Sequence, residues 1–118
     1  MGHTMEIERR VSVPNLTRAE RRSWLLHRAV ARRLDPQTLA DWGPTIRRNL
    51  DVLSQGVAGE PHLTHLQRWT QIIESGDVPS LRRVLTGLDR ASIEMREVSP
   101  LSGVLPEEVR LEVLAEAR

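Results

Sequence analysis

Two histidines three residues apart, His62 and His65 in the stretch HLTH, have the spacing that lets two imidazoles on one turn of a helix share a metal ion. Zinc needs a third and usually a fourth protein ligand, yet Glu60 is the only acid nearby and no H-E-x-x-H pattern occurs. The pair therefore reads as two polar residues at a helix start, and no metal is expected. Serines are present and His27 is the remaining internal histidine, but no G-x-S-x-G elbow exists to expose a nucleophile. Phosphate-cradling loops of the G-x-G-x-x-G or G-x-x-x-x-G-K kind are absent too. The acids are scattered along the chain rather than paired at a pocket. The chain is expected to be no enzyme and to carry no cofactor.

The strongest polar signal is cationic. All 17 basic residues are Arg, a bias first attributable to a GC-rich bacterial genome, and six of them fall between Arg18 and Arg33 against one acid, Glu20. On a helix of this register Ala19, Leu26, Ala29, Val30 and Leu34 form an apolar arc, while Arg18, Arg21, Arg28 and Arg32 collect on another. Trp24 sits at the edge, one turn before Arg28, where the indole face can stack on the guanidinium. Planar guanidinium groups pair with carboxylate or phosphate in bidentate fashion. A stripe of this kind binds phosphate, docks on an acid-rich pocket, or is simply a solvated face. At the other end, Glu107 to Arg118 carries four glutamates against two arginines, so the chain has a basic front and an acidic rear.

A second candidate contact is the stretch SPLSGVL, residues 99–105, in which Pro100, Gly103 and Pro106 prevent a helix around Leu101, Val104 and Leu105. The segment either closes the core or presents an apolar centre rimmed by Glu97, Glu107 and Glu108. Val104 and Leu105 are expected to close the core, and Leu101 to touch a partner. Partner-binding residues are thus Trp24, Arg21, Arg28, Arg32, Leu101, Val104 and Leu105; Arg18 joins Arg21, Arg28 and Arg32 in a nucleic-acid-binding alternative.

The elements that must position these residues are helical. Thr17 to Glu20 has capping-box spacing, and a helix should run from there to Asp35-Pro36. Asp35 and Pro36 open a short helix through Leu39 and Trp42, which Gly43-Pro44 interrupts; a further helix begins near Thr45 with Ile46, Leu50 and Leu53 and ends at Gly56. Helical spacing resumes from Pro61 with Leu63, Leu66, Trp69 and Ile73 until Gly76. Asp77 and Asp89 cap two more short helices, carrying Leu81, Val84, Leu85 and Leu88 and then Ile93 and Met95. A last helix opens after Pro106 with Glu107 and Glu108 in its first turn. No hairpin signal appears. The predicted fold is all-α, a compact bundle of about five or six short helices: a flexible or extended arm over residues 1–16 and a single helical domain over 17–118.

Composition agrees. Aromatics are 3%, all Trp, too few for a β-sandwich, and 118 residues suffice for one core. The absence of cysteine removes disulfides and thiolate metal sites, and no run suits a leader or a bilayer span, so a cytoplasmic protein without membrane association is expected. A helix-turn-helix is not favoured, because the helix after Pro36 bears no basic residue before Arg47-Arg48.

The stretches ERRSWLLHRAVARRL, RWTQIIESG and SPLSGVLPEEVRLEVL together resemble a set of small helical proteins of GC-rich bacteria, whose last segment usually reads S-P-F-x-G-V-L. This chain has Leu101 at the aromatic position. The resemblance covers roughly residues 17–114. It implies an antitoxin of a toxin-antitoxin pair whose partner is a nucleotidyltransferase-like toxin, neutralised by direct binding near its active site in a hetero-oligomer. The competing reading is a DNA-binding transcriptional regulator.

Overall fold

The computed structural model describes residues 15–118 and places six helices and no strand within them. They are α1 (Arg18–Arg32), α2 (Pro36–Gly56), α3 (His62–Ser75), α4 (Val78–Thr86), α5 (Arg90–Arg96) and α6 (Glu107–Glu116). The fold is all-α, as the periodicity predicts; residues 1–14 of the expected arm lie outside the described residues.

Side-chain caps set four of the helix starts. Thr17 Oγ1 accepts the Glu20 amide at 3.0 Å while Glu20 Oε1 accepts the Thr17 amide at 2.9 Å, the reciprocal capping box. Asp35, Asp77 and Asp89 accept the amides of Thr38, Ser80 and Ser92 at 2.7, 3.1 and 3.1 Å. Each cap is worth about 1 kcal/mol. Hydrogen bonds from Thr38, Ser80 and Ser92 hold the three carboxyls below the ordinary aspartate range.

The predicted break at Gly43-Pro44 does not occur: α2 passes through both residues without interruption. A proline ring in a helix removes one amide donor and crowds the Cβ of the residue before it. Gly43 has no Cβ to crowd. Leu39, Gly43 and Ile46, spaced i, i+4 and i+7, are buried on one side and hold both halves of the helix against the same core.

That core is built around Trp69 of α3, which is 0% exposed and donates its indole N–H to the Met95 carbonyl at 2.8 Å. Ile46 from α2, Leu66 and Ile73 from α3, Leu81 and Leu85 from α4, Met95 from α5 and Val30 from α1 belong to the same cluster. Helix α1 packs against α4 and α5 on one side and α6 on another. This two-sided burial alters its expected arc. Ala19 is exposed and Leu26 half-buried, whereas Leu25, which falls among the arginines, is buried.

The SPLSGVL elbow is irregular, as predicted, but Leu101 is placed differently. Leu101 is 5% exposed and belongs to the core, so the expectation that it faces a partner is corrected. Val104 and Leu105 are half-buried against the same cluster. The reason lies in the backbone. Asn49 Nδ2 donates to the carbonyls of Pro100 and Ser102, each at 2.8 Å, clamping the chain on both sides of Leu101. Gly103, at a φ of +85°, then turns it back outward.

Pro44→Ala is expected to raise stability by about 1–3 kcal/mol, by restoring an amide donor inside α2. Gly43→Ala alone should destabilise, because its new methyl meets the proline ring, and should become neutral or favourable in the Pro44→Ala background. Urea midpoints of the wild type, both single variants and the double variant measure this; strictly additive effects would contradict the account of α2.

Candidate functional site

The predicted stacking pair forms. The Arg28 guanidinium lies over the Trp24 ring, 4.6 Å from its centroid, an interaction worth about 0.5–1 kcal/mol at a partly exposed site. The indole is fixed from its other edge, where Nε1 donates to the Thr86 carbonyl at 3.0 Å. Trp24 is therefore anchored by α4 and half-buried, with Arg28 laid across it.

Beyond that pair, Arg28 and Arg32 on α1 and Arg82 on α4 converge on a surface concavity of about 310 Å³ completed by Ala31 and Thr86. No carboxylate lines it. Arg82 is steered into place by its Nη2, which donates to the Leu34 carbonyl at 3.0 Å. Arg32 also borders a neighbouring groove of about 430 Å³, lined by Arg33, Asp35, Thr38, Trp42, Val104 and Pro106. Trp24, Arg28, Arg32 and Val104 thus lie along one continuous face.

The other predicted residues are elsewhere. Arg21 donates to the Ala117 carbonyl at 3.0 Å, and Arg18 lines a groove with Arg22, Leu114, Ala117 and Arg118, so the first half of the stripe is turned toward the end of α6. The expected four-arginine row is two separate pairs. Leu105 lines a different cleft, with His27 and Arg96, and Leu101 belongs to the core.

Among the described residues no group of three or more His, Cys, Asp or Glu side chains is placed to hold a metal, and His62 and His65 stand half-buried without a third ligand. No helix there is long and apolar enough to cross a membrane.

Three residues escaped the sequence reading. Arg82 gives no signal beyond its place beside the apolar Leu81. His27 and Arg96 are buried polar groups on mainly apolar helix sides, Arg96 one turn after Ser92 and Ile93, and that position is the clue. His27 Nδ1 lies 2.6 Å from the Ser23 carbonyl, which only accepts, so the ring proton sits on Nδ1 and Nε2 accepts the Ser99 hydroxyl at 2.7 Å. Burial pushes His27 down to about 4, the Ser23 bond opposes this, and the Arg96 charge adds to it.

Serine and imidazole at this distance have the outline of a nucleophile and its base. Ser99 Oγ, however, also accepts the Leu101 amide at 3.2 Å, and an imidazole this weakly basic does not hold a proton drawn from serine near neutral pH. The pair is a latch tying the elbow to α1.

Because the folded protein holds His27 near 4 against 6.5 unfolded, the unfolded chain binds the extra proton between these values. The stability His27 confers is full above pH 6.5 and falls by about 3 kcal/mol as the pH drops toward 4. Denaturation across that window should show this slope in the wild type and a shallower one in His27→Gln, whose carbonyl still accepts from Ser99 and whose remaining slope comes from the lowered capping carboxyls at the acid end. A wild-type profile flat down to pH 4.5 would refute it.

Comparison with protein families, with curated proteins and with solved structures finds no match to this chain.

Proposed function

We propose that the chain is a non-catalytic, cytoplasmic binding module that acts as an antitoxin, neutralising a nucleotidyltransferase-like toxin by direct binding near its active site. The reading rests on one observation: Arg28, Arg32 and Arg82 converge on a concavity without a single lining acid, beside a tryptophan held rigid by the Thr86 carbonyl. Such a face is built for a cluster of carboxylates, and a nucleotidyltransferase centre offers the carboxylates that bind its metals. Trp24 and the half-buried Val104 contribute apolar contact, and the arginines contribute register and encounter rate. The resemblance of the three sequence stretches supplies the identity of the partner. The exposed glutamates of α6, Glu107, Glu108, Glu112 and Glu116, form a second charged surface able to cover a basic nucleic-acid channel.

The alternative is a DNA-binding regulator. The acid-free concavity suits phosphate as well as carboxylate, but Arg18 and Arg21 point to another part of the surface, which leaves a short phosphate track.

Adding the purified chain to a nucleotidyltransferase-like toxin of the kind the resemblance implies should abolish nucleotide transfer. Arg28→Glu and Arg32→Glu, which reverse charge at exposed or half-exposed positions, should each weaken inhibition by about tenfold or more. Inhibition should weaken much less with rising salt than binding to duplex DNA does, because apolar contact from Trp24 and Val104 adds to the ionic part. Undiminished transfer with the chain bound, or duplex binding with a steep salt slope and no effect on the enzyme, would overturn the proposal.

A further inference from the structure

Helix α6 has a neighbour on one side and water on the other. Its less exposed residues, Val109, Val113, Leu114 and Ala117, lie on the side it turns to α1, and the Arg21 bond to the Ala117 carbonyl fixes its rotation there. Glu108, Leu111, Ala115 and Arg118, spaced three, four and three residues apart, fall on the opposite side, and all four are exposed. Leu111 is 54% exposed, a large apolar side chain at the middle of this stripe. We propose that the stripe binds a second copy of this chain, α6 lying antiparallel on its counterpart across a two-fold axis, with Leu111 against the second copy's Ala115 and Glu108 against the second copy's Arg118.

An alternation of three and four residues is the spacing of a coiled-coil seam. Direction decides what meets across it. Reversing α6 about the point midway between Leu111 and Ala115 exchanges those two residues and exchanges Glu108 with Arg118, so large meets small and acid meets base, each twice by symmetry. A parallel pair would set Glu108 on Glu108 and Arg118 on Arg118. The antiparallel arrangement also lays the positive end of each helix dipole beside the negative end of the other.

The basic end of the stripe is reinforced from outside α6. Arg18 and Arg22 of α1 share a groove with Leu114, Ala117 and Arg118, and no carboxylate lines it. The ion pairs among the described residues are Arg90–Glu20 and Arg110–Glu107, so none of these three cations is paired there. Glu107 and Glu108 of the second copy arrive at that groove, and Leu114 of the two copies meets along the same flank. Glu112 stands roughly 80° from the centre of the stripe, at a rim where water and salt screen it from its counterpart. An unrelated acidic helix would satisfy the groove and leave Glu108 without a cation, whereas a second α6 supplies both ends. The seam is about three turns long, which places the pair in the small, weak class of interfaces. Arg28, Arg32 and Arg82 take no part in it, so the pairing and the proposed inhibition stand or fall separately.

The test is the mass of the full chain in solution, by light scattering from about 10 μM to about 1 mM, where a weak interface shows as a rise from monomer to dimer. Raising salt from about 0.05 to 0.5 M should shift that rise to higher concentration severalfold. Leu111→Glu changes an exposed position, so it should keep the urea midpoint of the wild type while weakening association about tenfold or more. Glu108→Arg and Arg118→Glu should each weaken it too. An equimolar mixture of those two single variants should associate more tightly than either alone, because each then meets opposite charge at both ends of the seam. A monomer over the whole range, a dimer indifferent to Leu111→Glu, or a mixture no tighter than its components overturns the proposal. Loss of toxin inhibition in Leu111→Glu with self-association unchanged overturns it as well, and gives this side of α6 to the toxin.

Discussion

Helix α1 is buried from two directions, and the rest of the surface follows from that constraint. Its Val30 and Ala31 enter the main core, while α6 packs along another side near the buried Leu25 and Ala29. A helix pressed between two neighbours has no broad solvent face. Its long cations are left at the seams, where aliphatic stems lie along apolar surface and the charged heads reach outward. One seam, toward α4, collects Arg28 and Arg32 and gains Arg82 from across it; the other, toward the end of α6, takes Arg18 and Arg21. The division of the stripe is thus a packing result, and it concentrates positive charge at one place instead of spreading it along a rod.

The elbow uses polar contacts to seat an apolar plug. Leu101 gains by burial, but burying an irregular segment strands backbone carbonyls that no helix satisfies. Asn49 takes two of them, and the Ser99 hydroxyl receives the Leu101 amide while giving its own proton to His27. The imidazole is suited to this because, held neutral, it is donor and acceptor at once. Arg96 plays the matching part at the other side of the cleft, where its guanidinium closes off the carbonyls that α4 leaves open after Val84. Burial of these two groups is therefore coupled to how the short helices end.

Much of the fold was legible because helix starts are local chemistry. Thr17, Asp35, Asp77 and Asp89 each bond an amide three residues on, and a spacing of three is visible in one dimension. The joining of α2 across Gly43-Pro44 was not legible. It depends on Leu39 and Ile46 sharing a core, a tertiary demand that overrides proline's local preference. For the candidate site, the Trp24–Arg28 stack was readable as a one-turn spacing, whereas Arg82 comes from a helix fifty residues on in rough terms and enters only through packing. The burial of Leu101 was not legible for the same reason: it is set by Asn49, which clamps the backbone from a distant helix.

Stability and recognition are consequently written in different chemical groups. Guanidinium charge does not vary across physiological pH, so a face made of Arg28, Arg32 and Arg82 presents a constant field to whatever approaches it. The protonation of His27, by contrast, depends on its burial behind Ser99, where it is turned toward a cleft with a different set of walls. Mild acid loosens the latch between the elbow and α1 while leaving the charge of the arginine face unchanged. Salt does the reverse, screening the exposed arginines and scarcely touching a hydrogen-bonded imidazole in the interior. For these two features the variables therefore act separately, and protonation of the elbow latch leaves the charge of the arginine face as it was.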